Sequence, residues 1–344
     1  MTYQSKSNSI LYLGEQDVIA SGLTMKETID IVEGVYARHA TGKMLMPPKR
    51  GIDISEIESE WKTGSTAMFG FDGGKGVVGT KWIGENKTNT AQRGLPNCIA
   101  TILLNDGASF WPKSILQGVW ITGMRTGAES VVGMKYLAGS RFLGGAGTLS
   151  ILGCGVQARF QMQAILNITS LKRIVAYDPI KESLQKFCEE IGNTLKDKGT
   201  VVEQAGSPGE AVAQGEVIVT VTSDAGSPFI RFKDLKPGAL VCALGARQEL
   251  SLDAIHSSSK VVVDNRAQIL HSGQLSKWVA SGTFTERNIY AEICEIIVGK
   301  KDGRTSEDEI IIYMPGGMAT LDIAVADRVF ELARSKGLGI ELSY

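Results

Sequence analysis

Residues 148–160, TLSILGCGVQARF, join a short apolar segment to two glycines and an alanine in the spacing G-x-G-x-x-A. Gly153 permits a tight turn, Gly155 lets the backbone approach a pyrophosphate, and Ala158 lets the following helix pack closely on the strand. The pyrophosphate would lie at the positively polarised N-terminus of that helix. The segment therefore predicts a dinucleotide-binding strand–turn–helix unit.

A second apolar segment, residues 173–177, ends at Asp178, roughly 20 residues beyond the glycines. A carboxylate at this place can accept hydrogen bonds from the adenosine ribose hydroxyls, and it disfavours the additional phosphate of NADP. The nearby Lys172, Arg173 and Lys181 weaken that preference. The alternative is an ordinary strand–loop–helix unit with a solvated aspartate. We predict NAD as the cofactor, with NADP disfavoured.

Three basic groups in the first 125 residues could hold an anionic substrate: Lys49 with Arg50, Lys81, and Arg125. Lys81 lies in the strand-like segment 77–83 among apolar neighbours, where burial would lower its pKa and suit it to proton transfer or to polarising an imine. The alternative is a lysine that extends to solvent or pairs with a carboxylate. Arg125, in the segment 124–128, could clamp a carboxylate or phosphate. A surface arginine on a helix is the alternative there.

Composition argues against several classes of function. The 344 residues carry a net charge of −1, with 21% charged and 43% hydrophobic residues, which is ordinary for a globular protein and gives no basic footprint for nucleic acid or a membrane surface. We find no signal-peptide core and no apolar run of the ~18 residues that a membrane span needs. A cytosolic location is the expectation that follows. The five scattered cysteines predict reduced thiols, and the three separated histidines, with no Cys/His cluster, predict no metal site.

The region around the glycine loop alternates strand and helix patterns. Predicted strands cover 148–152, 173–177, 216–222, 239–244 and 260–264, and helices are predicted at 157–168, 179–195 and 207–213. This alternation is typical of an open parallel α/β sheet. We predict a Rossmann-type domain over residues 126–309.

The two chain ends supply the remaining predicted elements. These are a helix at 24–41 with Thr24 as its N-cap, β-rich structure at 44–110, a helix at 118–140, a strand at 310–313 and a helix at 322–336. A nucleotide-binding domain needs a catalytic partner, and little other chain remains. We therefore predict a second, α+β substrate domain built from residues 1–125 and 310–344.

Seven segments together make the chain resemble the ornithine cyclodeaminase/mu-crystallin family over nearly its whole length. They are MPPK at 46–49, GTKWIG at 79–84, GLPN at 94–97, ILLND at 102–106, MRTGAES at 124–130, ILGCGVQARFQ at 151–161 and EIIIYMPGGMATLDIA at 309–324. The resemblance implies a homodimer in which a Rossmann domain accompanies a substrate and dimerisation domain made from both chain ends. This agrees with the organisation predicted from the patterns.

The resemblance also implies roles for individual residues. By position, Lys49 is similar to the family's basic residue for the substrate carboxylate, Lys81 to its catalytic lysine, and Arg125 to an arginine shared by substrate and cofactor. Pro315 and Gly316 fall on the family's loop near the nicotinamide and the substrate. Positions that match the family's cofactor contacts are Asn97 (in place of the usual threonine), Gly153, Gly155, Val156, Gln157, Asp178, Thr222, Ala243 and Gly245.

The family spans cyclodeamination of ornithine, dehydrogenation of alanine, reduction of imines and oxidative steps in the assembly of siderophore amino acids. The cyclodeaminase pattern has an aspartate in the loop after a strand glycine, and residues 244–250, LGARQEL, lack it. Glu249 is the candidate substitute, and Arg247 indicates a more anionic substrate. Other details, including MPPK, KWIG and Asp178, are similar to the alanine dehydrogenase and siderophore-precursor branches.

We therefore expect an NAD-dependent dehydrogenase or imine reductase that acts at the α-carbon of a small amino, imino or 2-oxo acid. One alternative is a redox-neutral ammonia lyase of the cyclodeaminase type, in which NAD is reduced and reoxidised within one turnover. The other is a binding protein of the mu-crystallin type, which retains the site with little catalysis.

Overall fold

The computed structural model describes residues 9–223, 226–245, 249–271 and 275–344. Its strands are β1 (Ser9–Leu13), β2 (Met44–Leu45), β3 (Arg50–Asp53), β4 (Thr63–Asp72), β5 (Val77–Asn86), β6 (Cys98–Asp106), β7 (Pro112–Gln117), β8 (Thr148–Leu152), β9 (Arg173–Tyr177), β10 (Val201–Gln204), β11 (Val217–Thr220), β12 (Leu240–Ala243), β13 (Lys260–Val263), β14 (Ala291–Glu292), β15 (Ile311–Met314) and β16 (Ile340–Ser343). Its helices are α1 (Glu15–Ala20), α2 (Met25–Ala40), α3 (Asn89–Arg93), α4 (Val119–Leu137), α5 (Val156–Ile165), α6 (Lys181–Leu195), α7 (Pro208–Gln214), α8 (Leu252–Ser257), α9 (Arg266–His271), α10 (Ser276–Ala280), α11 (Ile293–Ile297) and α12 (Ala319–Ser335).

The chain divides into two compact units. The terminal unit contains the residues up to Arg125 together with Met318–Tyr344, and the central unit contains Thr126–Gly317. Residues 310–317 were predicted in the chain-end domain, but β15 pairs with β12 and β13 inside the central sheet. All four residues of β15 are buried, as expected for a strand inside a parallel sheet that is covered on both faces.

The central unit contains a wholly parallel sheet in the order β10-β9-β8-β11-β12-β15-β13-β14. Numbered from β8, its first five strands follow the order 3-2-1-4-5 of a dinucleotide-binding fold, with the switch point between β8 and β11. Every residue of β11 and β12 is buried, which explains why their sequences are continuous apolar runs. The predicted α/β fold class with a Rossmann-type sheet is confirmed.

The terminal unit contains a mostly antiparallel sheet in the order β16-β1-β7-β6-β5-β4-β2, with β3 also paired to β4. Helix α12 packs against β4, β5 and β6 and against α2. Gly70 and Gly79 pair across β4 and β5 beneath this helix. A Cβ on Gly70 would lie 2.9 Å from Ile323 Cδ1 and 3.1 Å from the backbone nitrogen of Thr320. Glycine at this position therefore lets α12 approach the sheet closely.

Two helices of the terminal unit show how the sequence determines their ends. Helix α2 begins after Thr24, whose hydroxyl accepts from the backbone N–H of Glu27 while the Glu27 carboxylate accepts from that of Thr24. This is the predicted capping box. Helix α12 begins at Ala319, three residues before the prediction, because its first turn is buried and lacks an obvious polar cap. Across the described residues, no helix has both the length and the apolar character needed to cross a membrane.

Candidate functional site

Lys81 lies on the inner face of β5, and only 1% of it is exposed. Its Nζ forms an ion pair with Asp322 Oδ2 at 2.8 Å and lies 3.5 Å from the hydroxyl oxygen of Thr122 on α4. Asp322 is in the first turns of α12, which Gly70 lets come close to the sheet. The lysine that was unexpected on an apolar strand is therefore buried against a carboxylate.

Asp322 connects Lys81 to a second cation. Arg125 Nε donates to Asp322 Oδ1 at 3.0 Å, and 7% of Arg125 is exposed. We refer to Lys81, Arg125 and Asp322 as the Lys81 cluster. Asp322 was not among the predicted site residues, although a single carboxylate among apolar residues was the available signal.

Burial lowers the pKa of Lys81 from 10.5 to about 8, because the charged form loses its hydration. The Asp322 carboxylate opposes this effect, while the positive charges of Arg125 and Lys49 add to it. Lys49 is half-buried and follows β2. A lysine with this pKa exchanges a proton readily near neutral pH, as a general acid or base must.

In the central unit, the glycine loop after β8 has the geometry of a phosphate-binding turn. Gly153 has a φ of +94°, and a Cβ there would lie 2.8 Å from the carbonyl oxygen of Val221. Gly155 is exposed and a Cβ on it would meet nothing within 4 Å, whereas Ala158 is fully buried. Gly155 is also the N-cap of α5 and brings no side chain to the first N–H groups of that helix. These features fit the pyrophosphate of a dinucleotide.

Asp178, at the end of β9, is hydrogen-bonded to the glycine loop. Its carboxylate accepts from the backbone N–H of Cys154 at 2.7 Å and from that of Ile180 at 2.8 Å. Arg159 Nη1 donates to the carbonyl oxygens of Cys154 and Gly155 at 2.9 and 3.0 Å. A carboxylate offers about four acceptor positions, so Asp178 retains capacity for ribose hydroxyls while it fixes the loop.

The loop that contains Pro315 and Gly316 follows β15, and a buried carboxylate fixes it. Asp264, which follows β13, is fully buried and accepts from the backbone N–H of Gly317 at 2.7 Å through Oδ2. Its Oδ1 accepts from the N–H of Asn265 at 2.7 Å. Asp264 was not among the predicted site residues, because nothing in the local sequence distinguishes it from a solvated aspartate after a strand.

Glu249 lies beside the remaining candidates of the central unit. Its carboxylate is fully buried and accepts hydrogen bonds from the hydroxyls of Thr220 and Thr222. A Cβ on Gly245 would overlap this carboxylate. Ala243, the last residue of β12, is buried. Arg247, which suggested a more anionic substrate, lies outside the described residues.

The other cofactor candidates lie at different places. Val156 is 68% exposed at the first position of α5, and Gln157 follows it half-buried. Asn97 belongs to the terminal unit, where its Oδ1 accepts from the backbone N–H of Thr90 at 3.0 Å. Asn97 and Arg125 are thus the two cofactor candidates outside the central unit.

Comparison with known proteins adds to this geometry. The family model described as "Ornithine cyclodeaminase/mu-crystallin family" matches residues 12–337. Alanine dehydrogenase from Archaeoglobus fulgidus is 29% identical over 333 residues, covering 96% of this chain and 97% of the relative.

Two solved structures resemble the whole fold. One is the Thermococcus litoralis Δ1-pyrroline-2-carboxylate reductase in complex with NADH and L-proline, with a TM-score of 0.88, 28% identity, and coverage of 97% of this chain and 100% of that chain. The other is an archaeal alanine dehydrogenase dimer with bound NAD, with a TM-score of 0.85, 29% identity, and coverage of 98% and 99%.

Proposed function

The chain belongs to the ornithine cyclodeaminase/mu-crystallin family, and from that premise we propose an NAD-dependent oxidoreductase that acts on the α-carbon of an amino acid or its imine. The observation that carries this proposal is the Lys81 cluster, in which a lysine with a pKa of about 8 shares a buried carboxylate with an arginine. A guanidinium suits a substrate carboxylate, and such a lysine suits proton transfer at nitrogen. Both resembling structures are named for reactions at an amino-acid α-carbon.

NAD as the cofactor is supported by the glycine loop and by Asp178. The open space beside Gly155 and the N-terminus of α5 fit a pyrophosphate. The carboxylate of Asp178 repels a 2′-phosphate, so NADP is disfavoured. When bound, NAD supplies the hydride acceptor, or in reduced form the hydride donor, for the α-carbon.

We assign the binding of the substrate carboxylate to Arg125 and Lys49. Arg125 is fixed by its bond to Asp322, so a bidentate contact with a carboxylate would cost it little side-chain entropy. Lys49 is close enough for its charge to lower the pKa of Lys81, and it adds a second cation for the same anion. These two residues would orient the α-carbon of the substrate.

We assign proton transfer to Lys81. In the oxidative direction its neutral form takes a proton from the substrate nitrogen as the carbon–nitrogen double bond forms. In the reductive direction its ammonium form returns that proton to the nitrogen. Asp322 holds the Nζ atom in place through both steps.

The remaining assignments concern cofactor and substrate contacts. Pro315 and Gly316 are assigned to the loop beside the nicotinamide and the substrate, where Asp264 would hold them in position. The residues assigned to cofactor binding are Asn97, Arg125, Gly153, Gly155, Val156, Gln157, Asp178, Thr222, Ala243 and Gly245.

A homodimer is part of the proposal. The outer face of the terminal sheet carries large apolar side chains on neighbouring strands, with Phe69 53%, Trp82 66% and Ile99 48% exposed. A monomer rarely leaves such a face to water, and a second copy of this chain would cover it. One resembling structure is described as a dimer. Sedimentation of the wild type should give twice the chain mass, and Trp82→Glu should shift it toward the monomer.

A cytosolic location also belongs to the proposal. All five cysteines are free thiols in the structure, which suits a reducing compartment. Fractionation of the native host should recover the protein with cytosolic markers, and its recovery with periplasmic or secreted proteins would contradict this location.

The test of the activity is absorbance at 340 nm on the purified protein. One arm supplies NAD with a panel of amino acids, and the other supplies NADH with ammonium or simple amines and a panel of 2-oxo acids. We expect a sustained change that depends on the substrate in at least one arm. Ammonia and product are measured in parallel.

The other outcomes identify the alternatives. A flat trace with ammonia or proline appearing from ornithine would establish a redox-neutral lyase and overturn the proposal. A flat trace without product, from a protein that binds NAD, would favour the binding protein. Glu249 is relevant to the lyase alternative because its carboxylate is fully buried and bonded to two threonine hydroxyls. A carboxylate without exposed surface is poorly suited to replace the absent loop aspartate.

A further inference from the structure

We propose that Glu249 is a positioning residue for the cofactor, because it fixes Thr222 as a hydrogen-bond acceptor and packs against Gly245 at the carboxyl end of the parallel sheet. The inference rests on the proposed function, since Thr222 and Gly245 are cofactor contacts only there. It assigns Glu249 neither contact with the substrate nor proton transfer. Its role is to orient Thr222 and to pack against Gly245.

Glu249 lies at the carboxyl ends of strands in the parallel sheet. Thr220 ends β11 and Ala243 ends β12, and these two strands pair in parallel. Their carboxyl ends therefore share an edge with the end of β8, where the glycine loop begins. Ligands of doubly wound sheets bind at this edge. The fully buried side chain of Glu249 lies among these strand ends.

Two threonine hydroxyls donate hydrogen bonds to the Glu249 carboxylate. Thr220 Oγ1 donates to Glu249 Oε2, and Thr222 Oγ1 donates to Glu249 Oε1. A hydroxyl has one proton, so a threonine that donates to a carboxylate has only lone pairs to offer a ligand. Thr220 is fully buried and Thr222 is half-buried, so Thr222 is the one of the two that a ligand could reach. Its ligand partner must therefore be a donor, such as a ribose hydroxyl or a carboxamide N–H.

The Glu249 carboxylate also packs against Gly245. A Cβ at residue 245 would overlap the Glu249 carboxylate, so the backbone of Gly245 lies directly against it. The main-chain carbonyl of Glu249 also accepts from the N–H groups of Phe229 and Ile230 at 3.0 Å. The carboxylate is therefore held in place from its own backbone while it orients Thr222. Because the carboxylate is fixed in this way, it can keep Thr222 oriented for the cofactor.

The test compares Glu249→Gln and Thr222→Val with Ser150→Ala as a matched control. Ser150 is a fully buried hydroxyl in β8 that donates to the carbonyl of Ala211 at 2.6 Å, so its loss should lower stability without reaching Glu249. Glutamine keeps the shape of Glu249 but presents an N–H₂ group to one threonine, which disturbs the donor–acceptor pattern. For each variant, calorimetry measures Kd for NAD and for ADP, kinetics separates KM for NAD from KM for the amino acid, and thermal unfolding gives Tm.

We expect both variants to raise Kd and KM for NAD by roughly 10-fold, the loss of about one hydrogen bond to a ligand. KM for the amino acid should stay within 2-fold, because the amino acid does not bind Thr222. A rise in Kd for ADP beside that for NAD would assign the donor to the adenosine ribose, and an unchanged Kd for ADP would assign it to the nicotinamide half. Ser150→Ala should lower Tm without changing Kd for NAD. Equal Kd for NAD in wild type and Glu249→Gln would overturn the inference, as would a parallel rise in Kd for Ser150→Ala at equal loss of Tm. A wild type that does not bind NAD would instead overturn the proposed function.

Discussion

Two lysine–carboxylate pairs in which the lysine is buried, one in each unit, have nearly the same distance between their charged atoms and opposite properties. In the terminal unit Lys81 lies 2.8 Å from Asp322, and in the central unit Lys260 lies 2.7 Å from Glu309. Lys260 is 8% exposed and Lys81 is 1% exposed. The pKa of Lys81 falls to about 8, so the lysine can lose its proton much nearer to neutral pH than an ordinary lysine does. In the other pair the pKa of Glu309 falls to about 2.

The difference comes from what surrounds each pair. Burial raises the pKa of Glu309, but bonds from Lys260 and from the backbone and hydroxyl of Thr305 outweigh it. Lys260 Nζ also donates to the carbonyl of Gly303 at 2.6 Å. Around Lys81, by contrast, burial is deeper and the charges of Arg125 and Lys49 add to its effect. An ion pair surrounded by neutral hydrogen-bonding groups stabilises the fold, whereas one beside further cations leaves a proton ready to move.

Substitution of the two lysines tests this comparison most directly. Lys81→Ala should lower kcat by about 10³-fold, as expected for loss of a general acid or base, while Kd for NAD stays within 2-fold. Lys260→Met should keep kcat within 2-fold at a temperature where it is folded. Stopped-flow or steady-state kinetics at 340 nm, together with NAD titration, measures both. Comparable turnover in Lys81→Ala and wild type would contradict the proton-transfer role.

Asp322→Asn tests the carboxylate of the Lys81 cluster. Because Asp322 raises the pKa of Lys81, loss of its charge should lower that pKa further below 8. The limb of the kcat profile should move to lower pH, and kcat for imine reduction at pH 7 should fall roughly 10²-fold as the ammonium form is lost. Asp327→Asn is the matched control. Asp327 lies on α12 like Asp322, and its carboxylate pairs with Lys113 at 2.6 Å. This variant should leave the limb of the kcat–pH profile in place. An unmoved limb in Asp322→Asn would argue that the pair is structural.

Glu309→Gln tests the structural pair. The variant keeps the shape of the side chain but loses the charge that Lys260 and Thr305 satisfy, so the free energy of unfolding should fall by about 1–3 kcal/mol. Urea denaturation at pH 7 measures the loss, and Kd for NAD is the control that should not change. Undiminished stability would place this pair with the many ion pairs that contribute little.

The pH dependence of stability should also distinguish the pairs, with a smaller effect. The lowered pKa of Glu309 means that its contribution is complete above about pH 4.5 and is lost as the pH falls toward 2. The lowered pKa of Lys81 has the other consequence. The unfolded chain keeps this proton more tightly, so stability should rise as the pH rises from about 8 to 10.5. In the wild type the urea midpoint should change with pH in both windows. The change should be smaller in Glu309→Gln at acid pH and in Lys81→Met at alkaline pH.

The sequence predicted the parts of the fold that have a local signal. Strands β8 and β9 lie at the predicted residues, since buried parallel strands are continuous apolar runs bounded by turn residues. Strands β10 and β16 were missed, because each has only four residues and lies at the edge of its sheet, where the sequence signal is short and weak. Strand β15 was found, but its sheet was not, since pairing of distant strands leaves no local trace.

The candidate site divides in the same way. The glycine loop and Lys81 were found because spacing and an apolar context are visible within a few residues. Asp322 and Asp264 were missed, because their importance comes from partners distant in the chain. Asp322 pairs with Arg125 across 197 positions, and Asp264 binds Gly317 across 53. The apolar neighbours of Asp322 indicated burial, but nothing local in the sequence indicates which distant residue such a carboxylate binds.

The composition of the terminal unit from both chain ends has a consequence for the order of its assembly on the ribosome. Strand β16 pairs with β1, and α12 covers β4 and β5, so the unit cannot close until the residues after Met318 have been made. By then every strand of the central sheet has been synthesised. We expect Lys81 to lie on a partly formed, hydrated sheet with an ordinary ammonium group until Asp322 is in place. Translation would therefore delay the reactive lysine until α12 packs on the sheet.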